Sequence, residues 1–508
     1  MIKAWNNVQP RLAAEGKISA GRKITLQPSH IYIRFLPKDS IEFEMLEKTE
    51  GIELYDYPFD YEIEDLGQYY HDPTIPVGQP TWQYTVLEVG FQIPRTVKYE
   101  ILEKLFLPEA SGVSVNLFPS DENPCEIPQR LVNEAMIITD NADEVVPISE
   151  NCGGGSPGTG GGTSCVGCPR GQILVENPDF GNITRVENGE DVEYDGVPNV
   201  KARARRWFNI KTAQTNDEGI FVINHNFGKA VNLSIKYTNV HAMVKPVAIG
   251  FGPALLNGPK QKGFWEYRSK QGSGSYLWGA IMRGVDDYHN IYAPQFNIGT
   301  PPNDIKFKAC ANNECGLTTM LHQTATFKGL FGRWLFSDIR VGSKDTPYRR
   351  LYEVTIHELG HAAHWKLAGD WNIGNNWKMI WAHQRMREAW ACAIADEAII
   401  DKFGAPWYGV CSGTDDRVLF DEMVADKYPR IFVRDLIDDI NEFDANNDRC
   451  DDLQDNVEGF TLSQAFYALE DAFAWKNNTA MDKWRDNLAD RIPAQSDNLD
   501  EYFEQWEK

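Results

Sequence analysis

Residues 346–369 constrain this chain more than any other stretch, because they dictate one long helix with a polar arc that must open onto a cleft. Thr346 can cap a helix, and Pro347 tolerates its first position because the N–H it lacks would be unpaired there; Gly369 supplies a stop. Between them runs Thr355-Ile356-His357-Glu358-Leu359-Gly360-His361-Ala362-Ala363-His364-Trp365. At about 100° per residue, His357, His361 and His364 fall on one arc, while Ile356, Leu359, Ala363 and Leu367 fill an arc roughly opposite. The apolar arc belongs against a core, which turns the histidines toward an opening.

Histidines at i and i+4 stand one turn apart, close enough to reach a single ion. Glu358 then lies beside that ion, placed to take a proton from its water rather than to bind it. Imidazole and carboxylate ligands with no redox demand suit Zn2+. His364 is a poor third ligand, since a rise of ~1.5 Å per residue puts it about 10 Å along the axis from His357, too far for bonds of roughly 2 Å. The metzincin pattern is excluded, because it requires Gly where this chain has His364 and His where it has Leu367.

A third ligand is expected from the next helix, read over 377–402 with a stop at Gly404. In it Glu388 shares a face with Cys392, Ala395 and Ile399, so a carboxylate sits on an otherwise apolar, small-residue stripe. Burying it unpaired would be costly, and a metal would resolve that. The small residues would let the two helices approach closely. A salt bridge to an Arg such as Arg385 is the competing account of Glu388, and Asp396 and Glu397 are rival ligands.

With His357-Glu358-x-x-His361 and a downstream Glu388 in a Glu-x-Trp-Ala context, this region resembles the gluzincin (thermolysin-like) metallopeptidases. The chain as a whole is similar to exported zinc-protease-like lipoproteins of gram-negative bacteria. The resemblance implies Zn2+ held by His357, His361 and Glu388, Glu358 as general base, and an upstream edge strand that pairs with the backbone of a peptide or protein substrate. Residues 338–341 match that strand best. It also implies an Asp four residues after the ligand Glu. That position holds Cys392 here, which leaves Asp396 or His364 to hydrogen-bond the ligands from behind. A bacterial cell-surface or periplasmic location, with a lipid anchor or an outer-membrane surface complex as partner, follows from the same resemblance.

The rest reads as a multidomain α+β protein. Residues 1–21 look like a weakly structured lead-in. Residues 22–140 read as a small α+β domain: a strand over 31–36, a helix over 41–47, a strand over 52–55, a strand-helix pair over 84–107 and a closing helix over 128–138. Its His71 stands without a constellation and reads as structural. Residues 141–171 form a Gly/Cys-rich linker, and Cys165-x-x-Cys168 lacks a second pair, so a disulfide is expected there rather than a zinc ribbon. Over 172–242, strands at 183–187, 200–207, 220–224 and 231–237 are separated by Asp195-Gly196 and Asp217-Glu218-Gly219 turns, the pattern of a β-sandwich. The run from Gly196 to Ala204 and then Thr215 to Phe221 resembles the carboxypeptidase-regulatory-like (transthyretin-like) domain, which implies a spacer or docking unit. Residues 243–508 are expected to form a mostly helical zincin-like domain, with a helix over 275–292 and strands over 305–308 and 336–341.

A second constellation lies at Asp444, Asn446, Asp448 and Asp452, whose oxygens imitate positions 1, 3, 5 and 9 of a calcium loop. Arg449 replaces the Gly of the sharp turn and Asp455 the final Glu, so a solvated acidic loop outweighs Ca2+ as the reading. The formal net charge of −23 argues against nucleic acid as a partner, which would need a basic face. No apolar run approaches the roughly 20 residues of a membrane span. The first residues carry no signal-peptide core, which fits a cytosolic protein or a mature exported form. Cys310 and Cys315, which would close a short polar loop as a disulfide, favour export, and Cys392 is the expected unpaired member of the nine cysteines. Two functions stay open at this level: peptide-bond hydrolysis, or a zinc-containing binding or scaffold component of a bacterial cell-surface complex.

Overall fold

The computed structural model describes residues 2–21, 28–63, 66–67, 70–76, 78–105, 107, 126–138, 145, 167–178, 180–246, 251–311, 325–327, 339–367, 384–404, 432–437, 457–470 and 479–507. The protein is mixed α+β with several sheets. Among the described residues no helix is long and apolar enough to cross a membrane.

The lead-in expected over 1–21 is instead helix α1 (Ile2–Ala14), with Pro10 inside it. Ala4, Trp5, Val8 and Leu12 recur at helical spacing and bury against Ile127 and Leu131 of α3 (Glu126–Ile138). The helix expected to close the first sheet therefore shares a core with α1. That sheet has β1 (His30–Leu36) between β2 (Gln83–Glu88) and β3 (Lys98–Leu105), all antiparallel. Helix α2 (Ser40–Lys48) starts where the Asp39 carboxylate accepts from the Ile41 and Glu42 N–H groups. Two expectations fail here. The strand-helix pair over 84–107 is two strands, because pairing of β3 with β1 along its length overrides a locally helix-compatible sequence. Residues 52–55 contribute only one bridge, Tyr55 to Tyr84.

Two further sheets follow. One runs β12 (Leu255–Gln261), β10 (Val231–Lys236), β7 (Lys201–Arg206), β8 (Asn209–Gln214). The other runs β13 (Phe264–Ser269), β4 (Arg170–Glu176), β6 (Glu190–Gly196), β5 (Ile183–Glu187), with β9 (Ile220–Val222) on β4. The boundary expected at 242 does not close this pair, since β12 and β13 complete it. Between them in sequence, β11 (Ala242–Pro246) leaves to join a fourth sheet. That sheet runs β11, β14 (Ile305–Ala309), β16 (Ile339–Val341), β15 (Ala325–Phe327). Its first three strands are parallel and β15 is antiparallel. The strand expected at the edge, 338–341, is therefore internal from Ile339 on, and among the described residues β11 and β15 are the edges; Asp338 lies outside the described residues.

The remaining helices are α4 (Gly274–Asp287), which continues as a π turn over Tyr288–Tyr292, then α5 (Tyr348–Leu367), α6 (Gln384–Phe403), α7 (Phe432–Ile437), α8 (Leu462–Ala468), α9 (Thr479–Arg491) and α10 (Ser496–Glu507). One buried apolar cluster runs from Ile173 on β4 to Phe503 on α10, so the paired sheets and the helices share a core. The first sheet's unit joins them through ion pairs, mostly its carboxylates against cations of the sheets, with Lys48 to Asp304 at 3.0 Å the reverse. Glu44, Glu47 and Glu53 face Lys245, Lys306, Lys236, Lys201 and Arg203, with contacts of 2.6 to 3.2 Å.

Candidate metal centre

Helix α5 starts one residue later than its sequence suggests. The Thr346 hydroxyl accepts from the Ser343 N–H at 3.0 Å, and the Pro347 carbonyl accepts from the Leu351 N–H at 3.1 Å. Its buried face packs on two neighbours through missing side chains. A Cβ on Gly284 of α4 would stand 2.9 Å from Thr355 Cγ2, and one on Gly360 would stand 2.7 Å from Ile394 Cγ2 of α6. Where Gly360 lets α6 in, the Trp390 indole N–H donates to the Gly360 carbonyl at 3.1 Å. The far end of α6 is held by Lys402, whose Nζ lies 3.2 Å from Asp195 Oδ2 on β6 and 3.4 Å from Asp287 Oδ2 on α4. Tyr348 and Tyr352 of α5 donate to the same two carboxylates at 2.8 and 2.7 Å. Buried polar groups so satisfied hold both helices in one register.

This packing brings three of the expected site residues together. His357 Nε2 lies 3.2 Å and His361 Nε2 3.3 Å from Glu388 Oε2. The imidazole centroids are 4.7 Å apart and nearly perpendicular. One donor atom from each of the three residues falls within 4.8 Å of the others, an arrangement that could hold a metal ion. The side chains are 21%, 10% and 14% exposed, enclosed enough to strengthen ligation yet open to a small molecule. A four-coordinate ion with bonds of about 2.0 Å has ligand separations of about 3.3 Å, which the two contacts to Glu388 already meet. The donor set fits such an ion. Of Arg385, the competing partner expected for Glu388, the backbone alone is described, whereas both imidazoles are within reach of Glu388.

Electrostatics follow the same geometry. Burial works against charge on Glu388, but His361 and His357 hold its carboxyl well below the usual range. Burial pushes His361 below its ordinary value. Burial opposes charge on His357 too, yet Cys392 and Glu388 together hold it well above.

Glu358 is buried on α5 beside His357. His364 is buried one turn beyond His361 and contributes no donor to the group of three, nor do Asp396, which is buried on α6, or Glu397. Cys392 is a free, buried thiol, and its Sγ lies 3.9 Å from His357 Nδ1. The contact is absent from the sequence reading, although the i+4 spacing from Glu388 was its signal. Asp444, Asn446, Asp448 and Asp452 lie outside the described residues, as do Cys315 and Gly369. No family model, curated protein or solved structure matches the chain.

Proposed function

We propose that the protein is a zinc-dependent peptide hydrolase of the gluzincin type, with His357, His361 and Glu388 as ligands and Glu358 as general base. The observation that carries this reading is the convergence of His357, His361 and Glu388 from two helices onto one point, with Glu358 the next residue along α5. Zinc, when bound, supplies Lewis acidity that makes water a nucleophile near neutral pH and polarises a carbonyl. Glu358 is rotated about 100° from His357 around the helix, so it stands beside the ligand cluster without joining it. It takes a proton from the attacking water and returns it to the departing amine nitrogen. Its burial keeps bulk water from competing for that proton. Among the described residues β15 pairs on one side only, beside α5, which supports a role in adding an extended substrate as a further strand.

Cys168 and Cys310 each take part in a disulfide, which supports an exported protein. The paired sheets are read as a carboxypeptidase-regulatory-like β-sandwich that carries the helices, in keeping with a cell-surface or periplasmic hydrolase. Glu358→Gln tests the chemistry. It keeps size and helix propensity and removes the base, so peptide hydrolysis should fall at least ~10²-fold while zinc stays bound. An undiminished variant refutes the mechanism, and a zinc-loaded wild type inert to a broad peptide library favours a scaffold.

A further inference from the structure

Resting on the metal-site reading, we infer that Cys392 is a positioning residue for His357: its sulfur accepts the His357 Nδ1–H and so presents Nε2 to the ion. The geometry carries this. Cys392 Sγ lies 3.9 Å from His357 Nδ1, and the opposite nitrogen of the same ring is the one 3.2 Å from Glu388 Oε2. One edge of the imidazole faces the ligand cluster and the other faces the thiol. Cys392 stands one helical turn after Glu388 on α6, so the helix that supplies the third ligand also supplies the group behind the first. The thiol is reduced and buried, with none of the exposure a reactive cysteine needs.

Histidine ligands almost always donate their second N–H to a fixed acceptor, which sets ring orientation and raises ligand basicity. A thiol sulfur is a weak acceptor. Cys392 therefore orients His357, and the ion is held less tightly than it would be with a carboxylate in the same place. Small buried residues share the thiol's face of α6, since Ala389 and Ala395 lie three positions before and after Cys392. A purely structural Cys392 would accordingly tolerate Ala and resist a charge.

The two roles predict opposite orders for two substitutions, read as zinc affinity by chelator competition on the full chain. Positioning predicts that Cys392→Ala weakens zinc binding about 10-fold or more and Cys392→Asp tightens it beyond wild type. Packing predicts that Cys392→Ala matches wild type and Cys392→Asp binds worst; that order overturns the inference. A second readout needs no metal. In zinc-free, 15N-histidine-labelled protein, identified by its loss in His357→Gln, the His357 Nδ1–H resonance should be protected from exchange in wild type and Cys392→Asp and lost in Cys392→Ala. An Nδ1–H indifferent to both changes overturns the role of Cys392. If that resonance responds as expected while wild type takes up no zinc, the positioning of His357 stands and the metal reading falls.

Discussion

The Trp390 indole N–H donates to the Gly360 carbonyl at 3.1 Å, where the absent side chain of Gly360 lets α6 lie against α5. Gly360→Ala would drive a methyl to 2.7 Å from Ile394 Cγ2 and 3.3 Å from the Ala391 Cα, and the backbone cannot give way cheaply there. The expected outcome is a loss of about 1–3 kcal/mol in urea unfolding, together with weaker metal binding, because Glu388 rides on the displaced helix. Unchanged stability and unchanged zinc affinity together would show that the helix contact does not set the site.

Metal stoichiometry is the most direct check on the ligand set. Purified protein should carry about one zinc per chain. His357→Ala should abolish it, and Glu388→Gln should weaken it because a neutral amide is a poorer ligand than a carboxylate. Full zinc retention in His357→Ala sinks the assignment.

The thiols offer a test of compartment. The chain has nine cysteines, of which Cys168 and Cys310 are each held in a disulfide and Cys392 is free. Thiol titration under denaturing, non-reducing conditions should find fewer than nine reactive groups, with Cys392 among them by peptide mapping. Nine free thiols in protein taken from its native compartment would point to a reducing one.

Acid should loosen the joint between the first sheet's unit and the rest. Burial alone would raise the Glu53 carboxyl, but Lys236, Arg203 and Lys201 bring it down to about 2. A folded-state value below the unfolded one means the contribution is complete above about pH 4.5 and is lost as pH falls toward 2. Its size is about 3 kcal/mol. Glu53→Gln should be less stable than wild type at pH 7 by roughly 3–5 kcal/mol, because Arg203 and Lys236 stay buried without that carboxylate. The gap should shrink between pH 4.5 and 3 in urea unfolding; a gap that stays constant contradicts the ion-pair account.

How far the chain can be read from its letters depends on whether the decisive contact is local. Helix α5, its His357 and His361 pair and Glu388 on the stripe of α6 are properties of single helices legible from periodicity, whereas His364, expected on the same open arc, is buried. Strand β12 was not, because Gly258 and Pro259 interrupt a stretch that only its partner β10 holds extended. Pro10 hid α1 in the same way, since its burial comes from α3, more than a hundred residues later. The edge position of β15 is a matter of sheet order, and no window of sequence contains that order. His357 and Cys392 meet only because Gly360 admits α6, so their contact had to wait for the packing of two helices.

The excursion of β11 has a bearing on heredity as well as architecture. The chain passes from the paired sheets to the sheet beside α5, returns for β12 and β13, and leaves again for β14. A recombination event with a single crossover near residue 242 would part β12 and β13 from the two sheets they complete. Grafting this scaffold onto another set of helices, or lending its helices to another scaffold, would need two joins made at once. Three crossings of the chain tie the two parts, so neither can be exchanged by a single join.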